Sequence, residues 1–499
     1  MRHLHSISWI LLALGAAVPA FADERSDRIA AALPELDKMY SKLQEEQHIP
    51  GLVYGVIVDG KLVHTRSFGY ANLETKQAVT SDTAFRIASM TKNFVAMAVL
   101  KLRDEGKLQL DRPASYYLPE LRRLRMASKD SPQFTVKQML TMTTGLPEDN
   151  PWGDRQMARA NAELEKIVGA GLSFSNAPNV AFEYSNLGYV LLGKIVSRQS
   201  GMRFQDYITK NILLPLGMKN TVWEYSRVPS HQLALGYHWL NGTHQPEPIL
   251  HDGDGAAMGG LITTMNDYAR YLAYHINAWP ASDLEELGPL RRASLREMHQ
   301  PSTFIELKTK GTEAVASFYG YGWSMRQKVS GSSTTTIVGH GGGLPGYGSQ
   351  VYFMPTHKVG VVALSNLRYG PVYGLTATAL TTLVDNAKLS ATAIAPSPQL
   401  LERQKQAVEL LQTWDQGLAK QVVAENFFMD SPRDEWITLS REVLNPIGRV
   451  VSIGAIEPEN RLRGKFVLQG ESGKVEVFIT LTPEHDARLQ FMEIKLLKE

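Results

Sequence analysis

Ser89-Met90-Thr91-Lys92 opens a run rich in helix-compatible apolar residues, Asn93 to Leu102, so a serine and a lysine three apart share one face of a helix's first turn. A helix start suits this pair in two ways. Its free N–H groups and positive dipole end favour a developing alkoxide or oxyanion, and an apolar surround depresses the lysine pKa until the neutral amine can take the serine proton. This is the logic of acyl transfer by a Ser/Lys pair.

An isolated S-x-x-K is as a rule only a surface helix turn, so its companions carry the argument. Tyr184-Ser185-Asn186 precedes an apolar helix expected over Leu187 to Val196. A tyrosine hydroxyl beside a lysine can relay protons to a leaving group, and the Asn186 amide can hold both the lysine and a substrate carbonyl. His340-Gly341-Gly342-Gly343 follows the β-rich run Thr334 to Val338. Glycines at a strand edge let a substrate approach the backbone, and the N–H of Gly343 can face that of Ser89 as a second oxyanion donor. Each element alone is weak; the ordered triple is specific.

On these residues the chain resembles the serine β-lactamase and penicillin-binding protein superfamily, in its class C and DD-peptidase branch. The family's S-x-x-K, Y-x-N and K/H-x-G elements fall on Ser89 to Lys92, Tyr184 to Asn186 and His340 to Gly342. Connecting phrases are similar too: Thr135 to Pro147, Ile212 to Thr221, Gly259 to Leu272 and Tyr319 to Met325. The likeness spans roughly Pro50 to Leu383. It implies an α+β fold in which an antiparallel sheet of the five-stranded type is flanked by helices and carries an α-rich insertion. It also implies Ser89, Lys92 and Tyr184 as catalytic residues, and Asn186, His340, Gly342 and Gly343 as oxyanion or substrate contacts.

His340 stands where cephalosporin-hydrolysing relatives usually carry a lysine that helps hold the substrate carboxylate. With a reference pKa of about 6.5, a histidine is mostly neutral at pH 7. The expectation shifts toward a DD-peptidase, D-aminopeptidase or esterase, with a β-lactamase proper as the alternative. H-G-G-G is also an oxyanion signature of α/β-hydrolase lipases, but that fold needs a downstream G-x-S-x-G, which this sequence lacks.

At the amino terminus Arg2, the uncharged apolar stretch Ile7 to Val18 and Ala20-Phe21-Ala22 read as a secretory signal peptide over residues 1–22. The apolar run is short for a bilayer span, so a periplasmic or secreted protein without stable membrane insertion is expected. There are no cysteines, hence no disulfides or cysteine metal sites. Lys and Arg total 52 against 50 Asp and Glu, a balance that invites no nucleic acid. The histidines show no metal-ligand spacing, and no cofactor is implied.

Along the chain, Glu24 to Gln47 has a helical pattern, and Gly51 to Val58, Asp59-Gly60 and Leu62 to Phe68 form a hairpin with a type I′ turn. Helices and loops are expected to about Tyr274, with strands returning at Ser332 to Val338, Ser349 to Phe353 and Val359 to Leu364, then a helix from Tyr373 to Lys388. The hydrolase domain is read as 23–388 and the Pro- and Ala-rich stretch 389–398 as a linker. Residues 399–499 form an α+β module, loosely comparable to the nuclear-transport-factor or cystatin type. In it a helix is expected from Leu400 to about Val423 and another near Pro432 to Val443, with strands at Arg461 to Gln469 and Lys474 to Leu481; Phe427, Phe428 and Trp436 are assigned to its core.

Two functional classes follow. One is a serine hydrolase working through a Ser89 acyl-enzyme on cell-wall peptides, D-amino-acid peptides, β-lactams or small esters. The other is a non-catalytic envelope protein that binds β-lactams or peptidoglycan fragments. The intact set of Ser, Lys, Tyr and Asn favours the enzyme. Oligomeric state has no signature here.

Overall fold

The computed structural model describes residues 19–497 except Pro151, Gly331 and Ser332. The signal-peptide reading therefore lies almost wholly outside the described residues. No described helix is long and apolar enough to cross a membrane. The chain forms two compact units that divide between residues 391 and 392, and residues 389–397 have no regular secondary structure.

The first unit begins with helix α1, Pro19–Glu46, followed by strands β1, Gly51–Val58, and β2, Lys61–Asn72. Asp59 and Gly60 join them with φ of 49° and 76°, the two left-handed residues that a type I′ turn requires. After the short strand β3, Gln77–Ala78, a long helical insertion precedes β4, Thr303–Lys310, β5, Glu313–Tyr319, and β6, Ser324–Ser330. The sheet is completed by β7, Ser333–Leu344, β8, Tyr347–Met354, and β9, Val359–Ser365. Its nine strands run in the order β3-β2-β1-β9-β8-β7-β6-β5-β4.

Every residue of β1 is buried, because successive side chains serve two different cores. Val53 and Ile57, with Val351, Phe353, Val362 and Leu364, face the helical insertion. Leu52, Tyr54 and Val56 face the opposite side, where they pack with Leu36 and Tyr40 of α1 and with Leu380 and Leu383 of a late helix, Val372–Asn386. This makes a sheet covered by helices on both faces, as expected of an α+β sandwich. The five strands read from sequence are its centre. The difference is the ribbon β4-β5-β6, which widens one side. A β-bulge between Phe304 and Glu306 shifts the register there, and Phe304 and Leu307 are exposed, so the apolar residues never alternate cleanly.

In the second unit the single helix expected from Leu400 to Val423 is two, Pro398–Thr413 and Gln416–Val422. Trp414 adopts a left-handed conformation (φ 47°) and Asp415 caps the helix that follows by accepting from Leu418 N. A helix at Arg433–Leu444 and a five-stranded antiparallel sheet complete the unit, its long strands being Arg463–Gly470, Lys474–Leu481 and Leu489–Leu497. Phe427 and Trp436 lie in its core, with Phe428 packed against it.

A buried histidine pair gives the first unit an acid weakness. Trp279 Nε1 donates to His299 Nδ1 at 3.1 Å, so the proton of His299 sits on Nε2 and is donated to His275 Nδ1 at 2.9 Å. Burial holds His299 down to about 3 and His275 well below its ordinary value. The unfolded chain takes up these protons as pH falls through about 6.5, whereas the folded chain resists until far lower pH, so stability drops by up to about 1.4 kcal/mol per pH unit for each ring. Denaturant midpoints should fall from pH 7.5 to 5.5, and His299→Asn, though less stable at neutral pH, should flatten that slope. Parallel slopes for the two proteins would show that the pair does not set the pH dependence.

Candidate active site

Ser89 lies in a single 3-10 turn, Ala88–Met90, that runs directly into helix α2, Thr91–Asp104. The expected helix is thus present, with the serine just ahead of its first turn rather than within it. Three hydrogen bonds to two neighbours tie the turn down: Ile87 N donates to Leu261 O at 3.0 Å, Leu261 N donates to Thr91 Oγ1 at 3.1 Å, and Ser349 Oγ donates to Ile87 O at 2.8 Å. Ala88 has φ of 48°, a left-handed conformation that costs a non-glycine residue about 1–2 kcal/mol. That strain at the preceding residue sets the direction in which Ser89 leaves the chain. Gly342 backs the same turn, and a Cβ there would collide with Ile87 O and Ser349 Oγ and lie 3.0 Å from Ala88 Cβ.

Lys92 is fully buried on the first turn of α2, and its Nζ stands 2.9 Å from Ser89 Oγ, 2.7 Å from Asn186 Oδ1 and 2.7 Å from Met258 O. The last two oxygens can only accept. A neutral amine satisfies them with its two protons and turns its lone pair to the Ser89 hydroxyl. Burial pulls Lys92 down to about 7, against the opposing pull of the carboxylates of Asp154 and Asp149. The amine is therefore poised to exchange a proton near neutral pH.

Asn186 begins helix α3, Asn186–Ser200, for which Ser185 is the N-cap. Asp149 completes this helix start, its two oxygens accepting from Asn186 N at 2.7 Å and Leu187 N at 2.8 Å. Asn186 Nδ2 donates to Asn150 Oδ1 at 2.5 Å, which leaves its Oδ1 aimed at the lysine. Tyr184 is half-buried with its ring 5.0 Å from Lys92 Nζ. Burial raises its phenol well above the ordinary range, so it stays protonated and can hand on a proton only in exchange for another.

His340 is buried in β7. Its Nδ1 contacts Gly341 O at 2.6 Å, which requires a proton on Nδ1, so Nε2 accepts from Tyr319 Oη at 3.0 Å. Burial, followed by the charge of Lys92, drives this ring down to about 3. It is a neutral group that positions Tyr319 and the strand. Strand β6 pairs with β7 only as far as Gly339, so residues 340–344 present a free backbone edge on that side.

Ser89, Tyr184, His340 and Gly343 line one cleft of about 430 Å³ with Asn150, Asp154, Phe182, Ile305, Tyr319 and Tyr369. Lys92 and Asn186 sit beneath it, and Gly342 supports the Ser89 turn from behind. The structure thus brings together all seven residues singled out in the sequence. Sequence reasoning missed Asp149, Asn150, Asp154, Met258, Tyr369 and the strained Ala88. Tyr319 was visible as part of the phrase Tyr319 to Met325, without a role.

The chain is similar to several known proteins. A family model described as Beta-lactamase matches residues 36–386. Protein flp of Staphylococcus aureus (strain MW2) is 28% identical over 338 residues, 67% of this chain and 63% of that protein. Beta-lactamase-like protein 4 of Dictyostelium discoideum is 26% identical over 375 residues, 71% of this chain and 64% of that protein. In both cases the match spans less than two thirds of the relative's length. Among solved structures, the octameric penicillin-binding protein homologue from Pyrococcus abyssi superposes with a TM-score of 0.58 at 22% identity, covering 94% of this chain and 96% of the other. A class C beta-lactamase gives 0.56 at 23% identity, covering 74% and 98%. These two likenesses show a shared fold.

The backing of the Ser89 turn can be tested directly. Gly342→Ala should lower kcat by about tenfold or more, since a displacement of the reacting oxygen by 1 Å can cost roughly a hundredfold. Its KM for a small ester should change little. A variant with unaltered kcat would mean that the turn does not depend on this glycine.

Proposed function

This chain belongs to the Beta-lactamase family, and we propose that it is a serine hydrolase that cleaves amide or ester bonds through a Ser89 acyl-enzyme, in the manner of a DD-peptidase, D-aminopeptidase or esterase. The observation that carries the reading is the Lys92 amine, held between Ser89 Oγ and two oxygens that can only accept.

In this mechanism neutral Lys92 takes the Ser89 proton as Oγ attacks the carbonyl carbon. The oxyanion of the tetrahedral intermediate is received by the N–H groups of Ser89 and Gly343, at the head of α2 and on the free edge of β7. Collapse expels the leaving group, which takes a proton from Tyr184 as Tyr184 regains one from Lys92. Water then enters, gives a proton back through the same pair, and releases the acid. Asn186 holds Lys92 in place throughout.

The preference for a peptidase or esterase over an efficient β-lactamase is supported by His340, whose buried neutral ring brings no positive charge to a substrate carboxylate. A periplasmic or secreted location is supported by the amino-terminal features, Arg2, Ile7 to Val18 and Ala20-Phe21-Ala22.

Intact-mass spectrometry after incubation with fluorescent penicillin, a D-alanyl-D-alanine peptide and p-nitrophenyl butyrate should show an adduct with at least one probe. Ser89→Ala should show none and lose on the order of 10⁶ in kcat. Adducts that persist in Ser89→Ala, or their absence from the wild type, would remove the acyl-enzyme. Nitrocefin should be a poor substrate; kcat/KM of about 10⁶ M⁻¹s⁻¹ or more would instead mark a β-lactamase proper.

Acylation should follow the ionisation of the lysine. Because the base form of Lys92 accumulates above about 7, single-turnover acylation of p-nitrophenyl butyrate should rise tenfold per pH unit below that value and level off above it. Lys92→Ala should be slow at every pH, and Tyr184→Phe should lower the plateau. A rate independent of pH from about 5 to 9, across which a working base must titrate, would rule Lys92 out as the base.

A further inference from the structure

We propose that this cleft selects acyl donors that carry a free ammonium group within a few bonds of the scissile carbonyl, and that Asp154 is the residue that binds it. The inference rests on the Ser89 hydrolase reading and narrows its substrate class.

Asp154 lies on the turn Gly153–Arg155, is 5% exposed, and lines the same cleft as Ser89 and Asn150. Among the described residues its carboxylate accepts one side-chain hydrogen bond, from Tyr369 Oη to Oδ2 at 3.0 Å, and forms no ion pair. Other buried or half-buried carboxylates of this unit are better compensated. Asp149 accepts two backbone N–H bonds, Asp252 faces Arg203 and Gln205, and Asp267 accepts from Asn220 N and Thr221 Oγ1. A desolvated carboxylate left this bare is costly in a protein interior, and burial accordingly raises its pKa. A cation entering the cleft removes that cost.

Among the described residues no cation is paired with this carboxylate once the machinery is armed. Lys92 acts as the neutral amine, and His340 is neutral by the proton placement above. Arg368 is ion-paired with Glu247. Arg326 belongs to an adjoining groove, where its guanidinium lies 5.3 Å from the Tyr352 ring and 6.0 Å from that of Tyr373. The cleft that holds the nucleophile therefore presents a carboxylate without a counter-charge. In about 430 Å³ there is room for a residue or two of substrate, so an ammonium on Asp154 must stand close to the carbonyl at Ser89. Aminoacyl esters and amides with a free amine have this shape and charge; N-acylated or succinylated ones do not.

The test uses the full chain and matched substrates: the p-nitroanilides and benzyl esters of D- and L-alanine, each with a free or an acetylated amine. At about pH 7, below the α-amino pKa of about 8, the free amines are largely protonated. The wild type should favour free over acetylated forms by roughly tenfold or more in kcat/KM, the scale of one charge-assisted contact, and mainly through KM. Asp154→Asn should bring that ratio toward unity, and Tyr369→Phe should lower it by less. Equal use of both forms, preference for the acetylated form, or an unchanged ratio in a folded Asp154→Asn would overturn the assignment. The wild-type ratio decides the matter even where Asp154→Asn does not fold. If p-nitrophenyl butyrate acylates Ser89 but no ammonium preference appears, only this inference falls; if no probe acylates Ser89, the hydrolase reading falls with it.

Discussion

The burial of one amine organises this site. Lys92 Nζ lies where three separate stretches meet: its own helix, the Asn186 start of α3, and the carbonyl of Met258 at the end of the turn Asp254–Met258. None of these stretches is close to another in sequence, so the geometry exists only if the segments of the helical insertion pack correctly on one another. The surrounding core supplies the desolvation. Phe94, two residues beyond the lysine, stacks on Tyr271 with ring centroids 3.9 Å apart, and Val95, Met97 and Val99 are fully buried. An apolar helix with a lysine near its head would ordinarily be a liability. Here the lysine is tolerated because its contacts suit the neutral form, which folding itself produces.

The parts of this arrangement that were legible in the sequence are those that act locally. Ser89 and Lys92 are related by one helical turn, Tyr184 and Asn186 by a cap, and the His340 glycines by continuation of a strand. Each therefore carries a short pattern. Asp149, Asn150 and Asp154 reach the site from a loop, and their partners Asn186, Leu187 and Tyr369 lie 36 to 215 residues away. No spacing rule connects such residues. Met258 contributes a backbone carbonyl, for which side-chain identity is silent. Ala88 was equally invisible, because an alanine gives no sign of a left-handed backbone that tertiary contacts impose.

The fold shows the same division. The fully buried centre of the sheet was readable because β1 and β9 are continuous apolar runs, paired Val53 with Leu364 and Ile57 with Gly360. The ribbon β4-β5-β6 escaped because it is half-exposed and bulged. In the second unit the break at Trp414 escaped because a large aromatic residue rarely adopts positive φ; here its indole Nε1 donates to Ser440 Oγ at 2.9 Å, which repays part of the strain. In each case a specific long-range contact overrode a local preference.

Electrostatics around Ser89 then form one balanced system. Burial alone would lower Lys92 further and leave a weaker base; paired carboxylates alone would keep it charged, leaving no base at all. Asp149 and Asp154 lie close enough to oppose desolvation, and the result is an amine near 7. The two carboxylates are not equivalent, since Asp149 is occupied by the N–H groups of a helix start while Asp154 faces the cleft. A charge that enters beside Asp154 alters the field at Lys92 as well as filling a binding site. An ammonium there would favour the neutral amine at the moment the substrate is bound, so recognition and activation of the nucleophile would share one carboxylate.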